Sequence, residues 1–411
     1  MNRTDMFPRF LLENLTVALS DTPAVLVQGP RQSGKTTLVQ MLGDTYAYVT
    51  FDDETTLTAA ELDPIGFVDR LPAYCILDEV QLVPELFRSI KRVIDKDRYA
   101  GRFVLTGSAN LMLIPQLADS LAGRLEILRL YPLSQSEINA RGTNPIPGMF
   151  KGVIPATGSG IGYEELLNRV LRGGFPEPVK REHPSRRSAW YRNYVTTIID
   201  RDLKSIASIH DSGSMPRLLR VLANQTAQLI NISGMAPAFQ ITRPTLKHYT
   251  DLLSRVFMVD FLPPFYRNRM KRLVKTPKVH LTDTGLACAI MNVSADHLRK
   301  DHALFGHIVE TFVYNELRRL ASELSGVVDF YHFRDRDGYE VDIVLEDSQG
   351  QIVGIEVKAS STIKAEDFSG LKKLQRSMNY QFALGIILSI GERAIKAGEG
   401  IYALPISSLW T

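Results

Sequence analysis

The sequence predicts an α/β protein of several domains, and three stretches carry that prediction. Gly29-Pro30-Arg31-Gln32-Ser33-Gly34-Lys35-Thr36 stands between a short apolar run, Ala24–Gln28, and a helix-like stretch, Thr37–Leu42. Ala73–Leu77 is a second apolar run, closed by Asp78 and Glu79. Far downstream, Tyr339–Glu346 and Gln351–Lys358 alternate apolar and polar residues about a four-residue polar turn. The first two stretches read as strand–loop–helix units of a parallel sheet covered by helices, and the last pair as a hairpin in a second α/β domain.

Bulk properties narrow the classes. A chain of 411 residues is too long for one ordinary core. Its 45% hydrophobic and 23% charged residues are ordinary for a globular protein. A net charge of only +3 means that any DNA contact must use local patches. Cys75 and Cys288 lie far apart in apolar contexts, which excludes a zinc knuckle and suggests a reducing compartment. Neither a signal-peptide pattern nor an apolar run near the ~18 residues of a membrane helix is seen, so a cytoplasmic protein is expected.

A glycine loop between a strand and a helix N-terminus turns backbone N–H groups toward a phosphate chain. Gly29, Pro30, Arg31, Gln32, Ser33, Gly34, Lys35, Thr36 and Thr37 are the expected ATP cradle, a Walker A P-loop. Lys35 would reach the β- and γ-phosphates and Thr36 would ligate Mg²⁺. In the Walker B pattern, Asp78 would hold the Mg²⁺ shell and Glu79 would orient the attacking water. Tyr46–Phe51 and Arg102–Asn110 add strands. At the end of the latter, Ser108 or Thr106 can contact the γ-phosphate, a plain strand-end turn being the alternative.

Ser120-Leu121-Ala122-Gly123-Arg124 precedes another apolar strand, Leu125–Leu130. This resembles AAA+-type ATPases, where a strand-end sensor is followed by a loop arginine that often reaches a neighbouring subunit's γ-phosphate. The resemblance implies that role for Arg124, in a homo-oligomer with shared ATP sites. An arginine paired with an acid of its own domain is the alternative.

Arg141–Gly162 is rich in Gly and Pro and reads as a linker, followed by helical stretches at Tyr163–Leu171 and Ser185–Ala207 that suit a lid. Ser214–Ile230 reads as an amphipathic helix, Ser233–Phe239 as a short one, and Thr242 caps a third that starts at Arg243-Pro244 and runs to about Val256. Two strands, Phe257–Leu262 and Lys278–Thr282, enclose a loop holding Tyr266, Arg267, Arg269, Lys271, Arg272 and Lys275. This is a winged-helix pattern. Those loop cations, with Arg243 and Lys247, are the expected contacts to DNA phosphates.

In the hairpin, Val341, Ile343 and Leu345 share one face by alternation, as do Val353, Ile355 and Val357. Burying both sets together pairs Asp342 with Glu356 and crowds Asp342, Glu356 and Lys358 on the other face. The cluster resembles the PD-(D/E)XK nuclease superfamily, with Val341-Asp342 replacing the usual Pro-Asp. That resemblance implies Asp342 and Glu356 as Mg²⁺ ligands and Lys358 as the catalytic lysine. A further ligand would come from the helix Leu304–Leu320, Glu310 being favoured over Glu316, which sits nearer the core stripe and needs a partner.

The order of these parts is similar to a family of prokaryotic AAA-type ATPases followed by a winged helix and a C-terminal PD-(D/E)XK-like domain. Gly29–Thr37, Leu77–Gln81, Leu105–Ser108, Leu121–Arg124, Gly173-Gly174-Phe175-Pro176-Glu177 and Pro277–Leu286 carry the resemblance. The expected organisation is an AAA+-like three-layer P-loop ATPase domain over 1–140, a linker and helical lid over 141–212, a winged helix over 213–290 and a restriction-endonuclease-like α/β domain over 291–411. The expected function is ATP hydrolysis, with Mg²⁺, on duplex or branched DNA. A regulatory switch whose last domain only binds a partner is the alternative.

Overall fold

The computed structural model describes residues 6–109, 121, 123–158, 160–203, 213–266 and 276–411. The chain forms two compact units, Met1–Leu133 with Arg255–Phe257, and Ser134–Ser254 with Met258–Thr411.

The first unit is built on five strands: β1 (Ala24–Gln28), β2 (Ala47–Thr50), β3 (Cys75–Asp78), β4 (Phe103–Gly107) and β5 (Leu125–Arg129). They are all parallel, in the order β2-β3-β4-β1-β5. β1, β3 and β4 are buried along their whole length, as strands covered on both faces must be. Alternation divides their side chains between two layers. Leu26, Leu77 and Leu105 pack with Phe87, Ile90 and Ile94 of the helix Leu86–Lys96. Val25, Val27, Ile76 and Val104 pack with Leu11 and Leu15 of the helix Leu11–Asp21 and with Leu38. The order places β4 between the P-loop strand β1 and the acid-ended strand β3. Residues at the carboxyl end of β4 therefore lie between the two motifs, where ligands of parallel sheets bind.

In the second unit, the Gly- and Pro-rich segment 141–158 is more than a linker. Its helix Ile146–Phe150 buries Ile146 and Met149 in the main core, and Asn144 donates to the Leu320 carbonyl at 2.6 Å. Two apolar side chains a turn apart override the loop-forming composition around them. Tyr163–Arg172 and Pro184–Thr197 are helices of this same unit. Ser214–Asn224, Ile232–Phe239 and Arg243–Arg255 follow. The first is shorter than expected: Ala227 turns to a left-handed φ of 61° and opens the strand β6 (Gln228–Leu229). With β7 (Val259–Leu262) and β8 (Lys278–Leu281), β6 forms an antiparallel sheet in the order β6-β8-β7.

Asp283 explains why the segments near Gly174 and Asp283 belong together. Its fully buried carboxylate accepts from Gly174 N at 2.7 Å, Tyr191 OH at 3.0 Å and Leu286 N at 3.0 Å, and pairs with Arg319 at 3.2 Å.

The remaining strands are β9 (Val328–Arg334), β10 (Glu340–Asp347), β11 (Ile352–Lys358), β12 (Phe382–Ser389), β13 (Ile395–Gly398) and β14 (Ile401–Pro405). They make one mixed sheet, ordered β13-β14-β12-β11-β10-β9. The long helix His302–Ser322 buries Ile308, Phe312 and Leu317 with Ile343, Leu345, Val353 and Ile355. The helix Ser369–Met378 packs Leu371 and Leu374 against Val344 and Ile352 in a separate cluster. Among the described residues no helix is long and apolar enough to cross a membrane.

Candidate functional site

The P-loop fits its place in the sheet closely. A Cβ on Gly29 would lie 2.0 Å from the Leu130 carbonyl oxygen, so only glycine lets the loop pass the end of β5. Gly34 caps the next helix with φ 98°, a conformation glycine adopts freely. Lys35 is buried, and its ammonium donates to the carbonyls of Gly29 and Pro30 at 3.1 and 3.0 Å, folded over the loop it serves. Arg9 was not singled out by sequence, yet its buried guanidinium donates to Ser33 O at 2.6 Å and Tyr131 O at 2.7 Å. It braces the loop from outside, and only the fold brings it there.

Walker B closes the site. The Thr36 hydroxyl donates to Asp78 Oδ2 at 3.0 Å, Tyr48 OH donates to the same oxygen at 2.6 Å, and Thr106 donates to Oδ1. Burial, then the Asp78 carboxylate, pushes the Tyr48 phenol above its usual range. Thr106 also accepts from Glu79 N at 2.9 Å, so one hydroxyl holds the Asp78 side chain and the Glu79 backbone. Glu79 sits at φ 60°, ψ 43°, a left-handed conformation that costs a non-glycine residue about 1 kcal/mol or more. The Gln81 amide donates to the Glu79 carboxylate and, at 3.0 Å, to the Ser108 hydroxyl. Ser108 thus reaches Glu79 through Gln81, a link with no local sequence signal. Gln81, Thr106 and Tyr48 complete the site that the two motifs began.

A magnesium nucleotide fits these residues. Thr36 and Asp78 already stand oxygen to oxygen, and the buried Ser33 hydroxyl has no hydrogen-bond partner among the described residues. Bound there, Mg²⁺ would neutralise phosphate charge, with Thr36 and Asp78 in its shell and Lys35 on the phosphates.

Arg124 lies elsewhere. Ala24 N donates to its carbonyl at 3.2 Å, which puts Arg124 at the amino edge of the sheet, roughly 15 Å from the P-loop along β1. It cannot serve the nucleotide of its own chain. Its guanidinium pairs with Asp95, as in the intradomain alternative.

The C-terminal cluster differs from its expectation. The hairpin register holds, with Ile343 opposite Ile355 and Leu345 opposite Val353, and Asp347 accepts from Gln349 N and Gln351 N in the turn. But the β9–β10 pairing shifts register between Val341 and Val344, and Val341 packs in the other cluster, away from Ile343 and Leu345. Asp342 meets Lys278 of β8 at 3.0 Å, and that ammonium also meets Glu310 at 2.6 Å. Glu356 pairs instead with Lys358 at 3.1 Å, and Lys358 also faces Asp367 at 3.7 Å. Glu310, Asp342 and Glu356 are therefore not drawn into one ligand set; among the described residues no three His, Cys, Asp or Glu side chains form a metal site. Burial and the Asp342 charge push Glu310 and Glu356 each up to about 8. Burial works against the Lys278 ammonium, but Asp342 and Glu310 hold it above its usual range. Glu316 is fully buried, accepts from Gln135 N at 2.6 Å and pairs with Arg319, which supplies the partner a core acid needs.

Arg243 and Lys247 are exposed, one turn apart at the start of their helix. Arg267, Arg269, Lys271, Arg272 and Lys275 lie outside the described residues.

Residues 21–139 match the AAA domain family, 163–297 a domain of unknown function (DUF8612), and 305–409 another (DUF4143). An uncharacterized protein of Mycobacterium tuberculosis is 28% identical over 397 residues, 96% of this chain and 82% of its own length. One of Haemophilus influenzae is 24% identical over 329 residues, 74% of this chain and 76% of its own length. The solved structure of a Walker-type ATPase of Pyrococcus abyssi is 14% identical, with a TM-score of 0.43 over 70% of this chain and 97% of that one. The AAA match and the Lys35–Thr36–Asp78 geometry together make residues 21–139 a P-loop ATPase domain, of a class that binds nucleotide, usually with Mg²⁺.

Proposed function

We propose that the protein is an ATP-hydrolysing, DNA-acting switch. The observation that carries it is the convergence of Thr36, Asp78, Glu79 and Ser108 at the carboxyl ends of β1, β3 and β4, with a water-orienting acid beside a metal-binding one. That arrangement supports hydrolysis over simple nucleotide storage. The DNA part rests on Arg243 and Lys247, exposed on one helix face, and on the basic run between Tyr266 and Lys275. Three helices and a small antiparallel sheet, with β6 between the first two helices and β7 and β8 after the third, support reading 213–290 as a winged helix. Lys35→Ala should abolish ATP binding, and DNA should stimulate ATP turnover of the native chain at low salt. A chain that hydrolyses ATP but neither binds duplex or branched DNA nor responds to it would remove the DNA half of the reading.

A second reading, a nucleotide-driven switch whose C-terminal domain binds a partner without cutting, is favoured by one observation. Lys278 sits between two of the three acids that metal-dependent cleavage would need.

A further inference from the structure

We propose that Lys278 stands in the place of a divalent cation, so that the C-terminal domain holds its acidic cluster together without metal and is no Mg²⁺-dependent nuclease. Lys278 is the first residue of β8, in the small sheet. Its ammonium touches Glu310 at 2.6 Å, from the helix His302–Ser322, and Asp342 at 3.0 Å, from β10. Lys278 and Glu310 are nearly wholly buried. A buried ammonium between two carboxylates already supplies the positive charge that those carboxylates would otherwise draw from an ion.

Hydrogen bonds also occupy part of the acids' oxygens. Asp342 Oδ2 accepts from Val357 N at 3.0 Å, while its other oxygen takes Lys278. Glu356 Oε1 is held by Lys358, and only Oε2 is left without a hydrogen-bond partner among the described residues. The Lys278 ammonium, 2.6 Å from Glu310 and 3.0 Å from Asp342, opposes a divalent cation beside those same carboxylates. Magnesium therefore does not fit the acids as they stand. The lysine has a positive task in return: it ties the small sheet to the long helix and to the large sheet through one charge. His332 and His307 stand close enough to feel that charge, and burial holds both imidazoles below their usual range, so neither competes with Lys278 as the local cation.

The test uses the full chain in an Asp78→Asn background, which silences the P-loop metal position. Mn²⁺ is the probe, read by the spin-resonance signal of free Mn²⁺ and by the melting temperature. With Lys278 present, no Mn²⁺ should be taken up through Asp342, and Mn²⁺ should leave the melting temperature unchanged. Lys278→Ala should melt lower, bind one Mn²⁺ per chain, and regain roughly 5 °C or more when Mn²⁺ is added. Adding Asp342→Asn to it should abolish that uptake. Lys278→Arg should fold and take up none. Mn²⁺ held by the Lys278 chain and lost with Asp342→Asn would overturn the proposal. So would a Lys278→Ala chain, folded or unfolded, that Mn²⁺ neither binds nor rescues. None of these readings depends on ATP turnover or on DNA, so they stand apart from the proposed function.

Discussion

Gln81 carries the most informative side chain of the nucleotide site, because it joins two residues that the motifs treat as separate. Its amide holds the Glu79 carboxylate and the Ser108 hydroxyl at once. Groups that act through one bridge lose their effect together. Gln81→Ala and Ser108→Ala should each lower kcat by about tenfold with little change in KM, and the double variant should be no slower than either. Losses that multiply would show that Ser108 meets the nucleotide independently of Glu79. Glu79→Gln should bind ATP and slow turnover by roughly 10² or more, the range of a positioned general base. Undiminished turnover there would mean that another group positions the water. Cys75 and Cys288 make a contrast at the same scale: burial pushes both thiols up to about 12, so neither offers a thiolate for chemistry.

Among the elements, β9 joins the cluster through His332, whose Nε2 lies 3.3 Å from the Thr276 carbonyl. Burial, then the Lys278 charge, holds its imidazole down at about 4. An imidazole of the unfolded chain titrates near 6.5. Between those values the unfolded chain binds a proton that the folded chain refuses, so the stabilisation is complete above about pH 6.5 and is lost as pH falls toward 4. His332→Phe should remove that slope. Urea midpoints at pH 7.5 and 4.5 should show the native chain losing about 2 to 3 kcal/mol more than the variant. Parallel losses would place the acid sensitivity elsewhere. Buried Glu310 and Glu356, raised to about 8, act with the opposite sign, which is why the comparison is between variant and native chain. Much of this element scale was legible in sequence. The hairpin register followed from alternation, because each residue's face depends only on its neighbours along the strand. The displacement of Val341 did not, since a bulge depends on the pairing strand β9. Lys278 was read only as part of a strand, because its partners are 32 and 64 residues away. The burial of Ile146 and Met149 was hidden by the prolines and glycines around them, which set local conformation but not what the apolar side chains pack against.

For the molecule as a whole, the P-loop and Walker B motifs were legible in local patterns, while Arg9, Tyr48 and Gln81, which complete the site, are brought there only by the fold. Arg124 bears on that site because of where β5 starts. It lies at the amino edge of the parallel sheet, and the P-loop at the carboxyl edge. If an arginine so placed serves a nucleotide at all, it is that of another copy, through the head-to-tail contact that a cyclic assembly of identical chains would make. Its pair with Asp95 is partly exposed and screened by water, so exchanging that partner for a neighbour's phosphate costs little. If copies share sites, Arg124→Ala should fold normally, bind ATP and lose turnover by on the order of 10³, the low end for an arginine supplied in trans. Lys35→Ala should be inactive for a different reason, lacking its own phosphate contact while keeping a sound Arg124. Mixed one to one, the two inactive chains form some contacts in which the Lys35→Ala copy lends its arginine to the intact P-loop of the other. Random mixing should then restore up to about a quarter of native turnover, rising with total protein concentration as assembly does. Full turnover of Arg124→Ala alone, or a mixture no faster than its parts, would leave Arg124 as the partner of Asp95 and each chain's site complete in itself.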